Sequence, residues 1–172
     1  VLHERVQGER IATGFGQYRF VHEALPDVDF GDISTDAEFL GRKLRAPLLV
    51  SSMTGGTDRA AAINRRLAEL AQRRGWALAV GSQRAAIEHP ELRGSYRVRE
   101  YAPDVPIVAN IGAVQLNYGY GYDECMRAVE MIGADAIVLH LNALQEAFQP
   151  EGDTRFRGLL ERMRELMRRM PV

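Results

Sequence analysis

From residue 46 onward, apolar and polar positions alternate between two periods. "APLLVSS" (46–52) is a short, nearly continuous apolar run. Residues 57–75 have helical spacing, with Ala61, Asn64, Leu67, Ala68 and Ala71 along one stripe and Gly75 as a stop signal. The alternation then repeats. Strands are predicted over 77–82, 105–112 and 134–141, and helices over 89–103, ended by proline, 122–133, closed by glycine, and 153–170, charged on its outer face. Strands apolar on both faces, each followed by a helix, predict a parallel sheet covered by helices.

Two architectures fit that pattern: an open doubly wound sheet and a (β/α)₈ TIM barrel. Polar residues collect at the C-terminal ends of all four strands, whereas an open sheet binds ligands mainly at one switch point, so the barrel is favoured. A closed barrel usually takes about 250 residues, so the four units over 46–172 are read as its first half. Residues 1–45 have no helical period and alternate β-like pieces with Gly, Pro and Asp turns. They are expected to form an N-terminal extension packed on the barrel. "MPV" (170–172) falls where another strand is due, so the expectation is either a truncated chain or a half-barrel that pairs.

Composition narrows the class without identifying a ligand. Of 172 residues, 22 are basic and 23 acidic, a net charge of -1, so no global field draws the chain to nucleic acid or membrane. The single cysteine, Cys125, excludes an internal disulfide and a Cys-rich zinc site, which fits a reducing compartment. No apolar run approaches the roughly 20 residues of a membrane span, and no signal-peptide core is present. A cytoplasmic enzyme or binding protein is expected.

The candidate chemistry lies at the strand exits. The first, "SSMTGG" (51–56), combines two hydroxyls, a methionine and paired glycines that let backbone N–H groups approach a flat or anionic ligand; a plain helix-capping turn fits equally. The second, "GSQR" (81–84), sets Ser82 and Arg84 where a phosphate could be held, or leaves a surface arginine on a loop. In the third, Asn110 ends a buried strand, which calls for a partner for its amide, in a ligand or in the backbone.

The fourth exit is the richest. Strand alternation puts Ala136, Val138, His140 and Asn142 on one face and Leu139 and Leu141 on the other, with Gln145 and Glu146 in the turn above. A lone histidine would pass for a core residue; four polar groups within seven residues at a strand mouth indicate a site. Glu146 is a hard oxygen ligand suited to Mg²⁺, and zinc is disfavoured because no second ligand stands at its spacing. The Tyr- and Gly-rich stretch 115–124 lacks a basic groove, 162–170 reads as a solvated helix face, and "GFGQ" (14–17) misses the dinucleotide fingerprint.

Five blocks, "TGFGQYRFVHEALPDVDFGDI", "LGRKLRAPLLVSSMTGGT", "VGSQRAAIEHPEL", "ANIGAVQLNYGYG" and "ADAIVLHLNALQEAFQPEGDTRFRGLLERM", together resemble the N-terminal half of type 2 isopentenyl-diphosphate isomerase. The resemblance implies a (β/α)₈ barrel, FMN activated by NADPH or NADH, Mg²⁺, and interconversion of isopentenyl and dimethylallyl diphosphate in isoprenoid biosynthesis. It also implies a homotetramer. By position it assigns Ser51, Ser52, Met53, Thr54, Ser82 and Asn110 to the flavin. Ser82, Gln83, Arg84, His140, Asn142 and Gln145 fall to the substrate, with His140 and Gln145 nearest the chemistry, and Glu146 falls to the metal. The family's basic N-terminal pair and its later flavin-contacting lysine have no counterpart in this sequence. An FMN-dependent 2-hydroxy-acid oxidase and a non-catalytic half-barrel are the competing expectations.

Overall fold

The computed structural model describes residues 14–171. The chain divides into two compact units, Val1–Ser34 and Thr35–Val172. In the first, residues 14–34 form short 3₁₀ turns at Phe15–Gln17 and Phe30–Asp32, and neither turn buries a residue. The remainder of the predicted extension before residue 14 lies outside the described residues.

The second unit opens with an antiparallel hairpin, β1 (Ala37–Phe39) and β2 (Arg42–Leu44), in which Leu40 and Gly41 turn with positive φ. The sequence pattern placed these residues with the extension; the hairpin belongs to the second unit. Four parallel strands follow in sequential order, β3 (Leu49–Val50), β4 (Ala77–Ala79), β5 (Ile107–Gly112) and β6 (Ala136–His140).

Helix α1 (Asp58–Arg74) begins where the Thr57 hydroxyl accepts from the Ala60 amide at 3.1 Å. It ends where Gly75 takes the left-handed conformation and donates back to the last turn. Its buried stripe is Ala60, Asn64, Ala68 and Ala71, with Ala60 in place of the predicted Ala61 and Leu67 only partly buried against the core. After β4 comes α2 (Arg84–Glu88) and a 3₁₀ stretch Pro90–Tyr96, in place of the helix expected over 89–103, because Pro90 cannot continue the ladder. Helix α3 (Tyr122–Ile132) is closed by left-handed Gly133. Helix α5 (Leu159–Arg169) starts later than expected because Gly158 is left-handed just before it. Between them lies α4 (Ala143–Phe148), a short helix where a turn was expected.

Burial shows how the sheet is wound. Leu78, Val80, Ile107, Ala109 and Ile111 pack in one core with Ala68 and Ala71 of α1 and Ala128, Val129 and Ile132 of α3, so both helices cover the same face. Ile137 and Leu139 of β6 join that side, and α5 adds Leu159 and Leu166 against Ala113, Leu116 and Cys125. On the opposite face Leu49 and Val138 remain 44% and 42% exposed. Between them on that face Ala79 and Val108 are buried, so the apolar strip stands open at its two outer strands.

The N-terminal end of the sheet is locked by charge. Asp135, just before β6, accepts from Arg42 at 2.7 and 3.0 Å, from Arg99 at 2.6 Å and from the Ile107 amide at 2.8 Å. Arg99 also donates to the carbonyls of Gly133, Ala102, Pro103 and Val105, and so closes the end of α3 against the entry to β5. Burial alone would raise the Asp135 pKa; the Ile107 amide and the two guanidinium groups outweigh it and hold the carboxyl below its usual range.

Candidate active site

The C-terminal ends of the four strands surround a cavity of about 590 Å³. Its floor is the apolar strip Leu49, Ala79, Val108 and Val138, and its rim is Ser51, Ser52, Ser82, Asn110, His140, Asn142 and Gln145. The alternation read from residues 136–142 is observed within the strand, where Val138 and His140 line the cavity while Ile137 and Leu139 pack against the helices; past its end Asn142 also lines the cavity, but Leu141, expected on the core face, is 69% exposed. Phe39 of the hairpin also lines it, a residue that no sequence signal marked.

The 51–56 loop is shaped from behind. Asn64 on α1 accepts from the Thr54 hydroxyl at 2.7 Å and donates to the carbonyls of Thr54 and Ser95 at 3.2 and 2.9 Å. The Ser95 hydroxyl accepts from the Gly56 amide at 2.9 Å. A side chain at Gly55 would overlap the Tyr96 ring, and one at Gly81 would come within 2.6 Å of the Thr54 carbonyl oxygen, so both glycines are required for the close approach. Ser51, Ser52 and Met53 are left facing the cavity, whereas Thr54 is turned back into the scaffold. Tyr96 completes the support by donating to the Ser82 carbonyl at 2.7 Å; its burial pushes the phenol pKa up.

Gln83 is likewise held away from the cavity. It is fully buried, donates to the Ala128 carbonyl at 2.8 Å and accepts from the Asn110 amide at 3.0 Å. The amide that was read as bordering a substrate is spent on joining β5 to α3, because a buried polar side chain must find partners where it lies. Asn110 is different: its Oδ1 lies 2.7 Å from His140 Nδ1. With that oxygen as acceptor, Nδ1 carries the proton and Nε2 is the lone-pair nitrogen. Desolvation lowers the His140 pKa, the Glu146 charge opposes it, and the net shift is downward, so the ring is neutral at pH 7.

Arg84 and Glu146 stand beside the cavity and are linked to each other. Glu146 on α4 accepts from Asn142 Nδ2 at 2.6 Å and from the Asp153 amide at 2.8 Å. Arg84 Nη1 donates to Asp153 Oδ2 at 2.5 Å, its Nε lies 3.3 Å from Glu88, and Gln115 Nε2 donates to the same Asp153 oxygen at 2.8 Å. Sequence reasoning missed Asp153, Gln115, Asn64 and Tyr96, whose role is to hold other side chains. Among the described residues no group of three metal-binding side chains assembles. Cys125 is buried and its thiol is pushed up to about 11, which removes it as a nucleophile.

No family model matches the chain. Curated relatives do: it is 54% identical over 171 residues to a protein of Nostoc sp., covering 99% of this chain and 49% of that relative. It is 50% identical over 169 residues to one of Oceanobacillus iheyensis, covering 98% and 48%, and 51% identical over 172 residues to one of Synechocystis sp., covering 100% and 49%. The relatives share one name, isopentenyl-diphosphate delta-isomerase. The chain spans about half the length of these isomerases, and the matched portion includes every cavity residue described above. Among the described residues no helix is long and apolar enough to cross a membrane.

Proposed function

We propose that the chain is part of a type 2 isopentenyl-diphosphate delta-isomerase, a flavoprotein that interconverts isopentenyl and dimethylallyl diphosphate. The observation that carries this reading is the one-sided sheet, with helices on one face and, on the other, an apolar strip rimmed by polar side chains from four successive strand exits. A sheet wound on one side is what half of a (β/α)₈ barrel presents, whereas a doubly wound sheet carries helices on both faces. The relatives are about twice as long, enough for the other half of a ring.

FMN fits this face. Leu49, Val108 and Val138 offer a flat apolar bed, and Ser51, Ser52, Met53, Ser82 and Asn110 offer polar atoms and sulfur at its edge. Reduced by NADPH or NADH, FMN supplies an electron-rich surface that stabilises positive charge developing on an alkene. Glu146 fits Mg²⁺ as a single carboxylate sharing the ion with a diphosphate, the arrangement that this ion commonly takes, and not as part of a protein cage.

The chain's own residues then divide the work. Arg84 faces the diphosphate with its Nη2 edge. His140, fixed by Asn110, and Asn142 bind the polar end of the substrate, and Ser82 closes its side. Gln145 lies beside the reacting double bond. An amide has no proton to exchange near neutral pH, so Gln145 orients the alkene and helps exclude water. Thr54 and Gln83 support from behind: Thr54 shapes the flavin loop and Gln83 fixes the strand that carries Asn110. The proposal includes assembly as a homotetramer.

The test uses the full-length protein with isopentenyl diphosphate, Mg²⁺ and limiting NADPH. Expected are a flavin spectrum and dimethylallyl diphosphate by NMR, with no stoichiometric NADPH consumption. Glu146→Gln should lower activity by about 10-fold or more and weaken its Mg²⁺ dependence while retaining FMN. Stoichiometric NADPH loss would overturn the isomerase reading, and isomerisation without flavin would overturn the type 2 assignment.

A further inference from the structure

One residue outside the cavity touches elements from three strand exits. Asp153 Oδ2 accepts from Arg84, which follows β4, at 2.5 Å and from Gln115, which follows β5, at 2.8 Å. Its backbone N–H donates to Glu146, which follows β6, at 2.8 Å. The carboxylate is only 16% exposed, although it lies in a loop and packs into no apolar core. The turn that delivers it is closed by the Gly152 amide donating to the Gln149 carbonyl at 3.0 Å, and a side chain at Gly152 would overlap the carbonyl oxygen of Glu146. Glycine there is what lets the chain fold back closely enough for the next residue to reach all three partners.

The consequence for Arg84 is geometric. Glu88 engages Nε and Asp153 engages Nη1, so the guanidinium plane is fixed and the Nη2 edge has no partner among the described residues. A fixed planar fork loses less freedom on meeting a phosphate than an unrestrained one. Glu146 is fixed from the same point, by the adjacent amide and by Asn142.

We propose that Asp153 is a positioning residue that orients Arg84 and Glu146 toward a metal-bound diphosphate. This rests on the isomerase reading only in naming the diphosphate as part of the substrate. Both groups are held from the loop 149–153, so affinity for the anion depends on the Asp153 carboxylate through Arg84.

The experiment uses the full-length holoprotein and inorganic diphosphate, in buffer containing Mg²⁺, as a calorimetric probe. Asp153→Asn keeps the shape and removes the charge that orients Arg84. It should weaken diphosphate binding about 10-fold and raise the KM for isopentenyl diphosphate by a similar factor, with kcat within about 3-fold and FMN affinity unchanged. In an Arg84→Gln background the same change should add almost nothing, because positioning acts through the arginine. A general structural role would show its full effect in both backgrounds, and that result overturns the proposal. Tighter diphosphate binding by Asp153→Asn also overturns it, since the carboxylate would then be a competitor. Should Asp153→Asn fail to fold, Gln115→Leu removes the second donor to the carboxylate without touching Arg84 or Glu146. It should weaken diphosphate binding about 3-fold, and an unchanged affinity refutes the inference. Because the probe is inorganic diphosphate, variants that show this coupling alongside a wild-type protein that does not isomerise refute the assigned reaction alone.

Discussion

Asp135 and Asp153 stand at opposite ends of β6 and the segment that follows it, with side chains 18% and 16% exposed and each bonded to an arginine. Their partners differ. At the N-terminal end Arg99 spends its donors on Asp135 and four backbone carbonyls, and Arg42 adds a second cation from the hairpin. At the C-terminal end Arg84 meets two carboxylates and keeps one edge open. Equal burial thus coexists with unequal saturation. Donors that are all satisfied can contribute only to stability, while a donor held in place with spare valence can meet a ligand.

The largest expected effect tests the saturated end. Arg99→Met leaves Asp135 without one cation and strands several carbonyls; chemical denaturation of the full-length protein should show a loss of about 3–5 kcal/mol. A loss below about 1 kcal/mol would erase the contrast between the two ends.

Asp135→Asn comes next, at about 2–3 kcal/mol by the same measurement. It also carries a pH signature. The folded-state pKa of Asp135 lies below its unfolded value, so its stabilisation is fully present above about pH 4 and is lost as pH falls through the folded pKa. The asparagine variant should therefore lose part of the acid-side slope of stability. Activity of the folded fraction should be unchanged, in contrast to the same substitution at Asp153.

The smallest effect sharpens the comparison at the open end. Tyr96→Phe removes the hydroxyl that donates to the Ser82 carbonyl. The expected thermal shift corresponds to about 1 kcal/mol. FMN affinity should fall by a few-fold, on the order of what one lost buried contact allows; unchanged flavin binding would show that Ser82 needs no such support.

Much of this contrast was invisible in the sequence, for identifiable reasons. The parallel strands were legible because each is an apolar run bounded by a helical period, and the cavity face of β6 followed from alternation at Val138 and His140. Helix α4 was not legible: six residues cannot display a helical period. Gln83 was assigned to the substrate by the family resemblance alone, yet a residue at a strand-to-helix junction can turn inward, and only the positions of Ala128 and Asn110 show that it does. Asp153 was taken as the beginning of a helix. Its partners lie 69, 38 and 7 residues away in the chain, a separation no local pattern records.

The sequential order of the four strands has a kinetic meaning as well. Paired residues in neighbouring strands are about 30 positions apart at every step, so each pairing closes a loop of similar length and costs similar chain entropy. Assembly can therefore propagate one unit at a time, and no pairing within the sheet waits for distant chain. Opening runs the other way: β4 and β5, wholly buried and each paired on both sides, are the last of these strands to exchange with water.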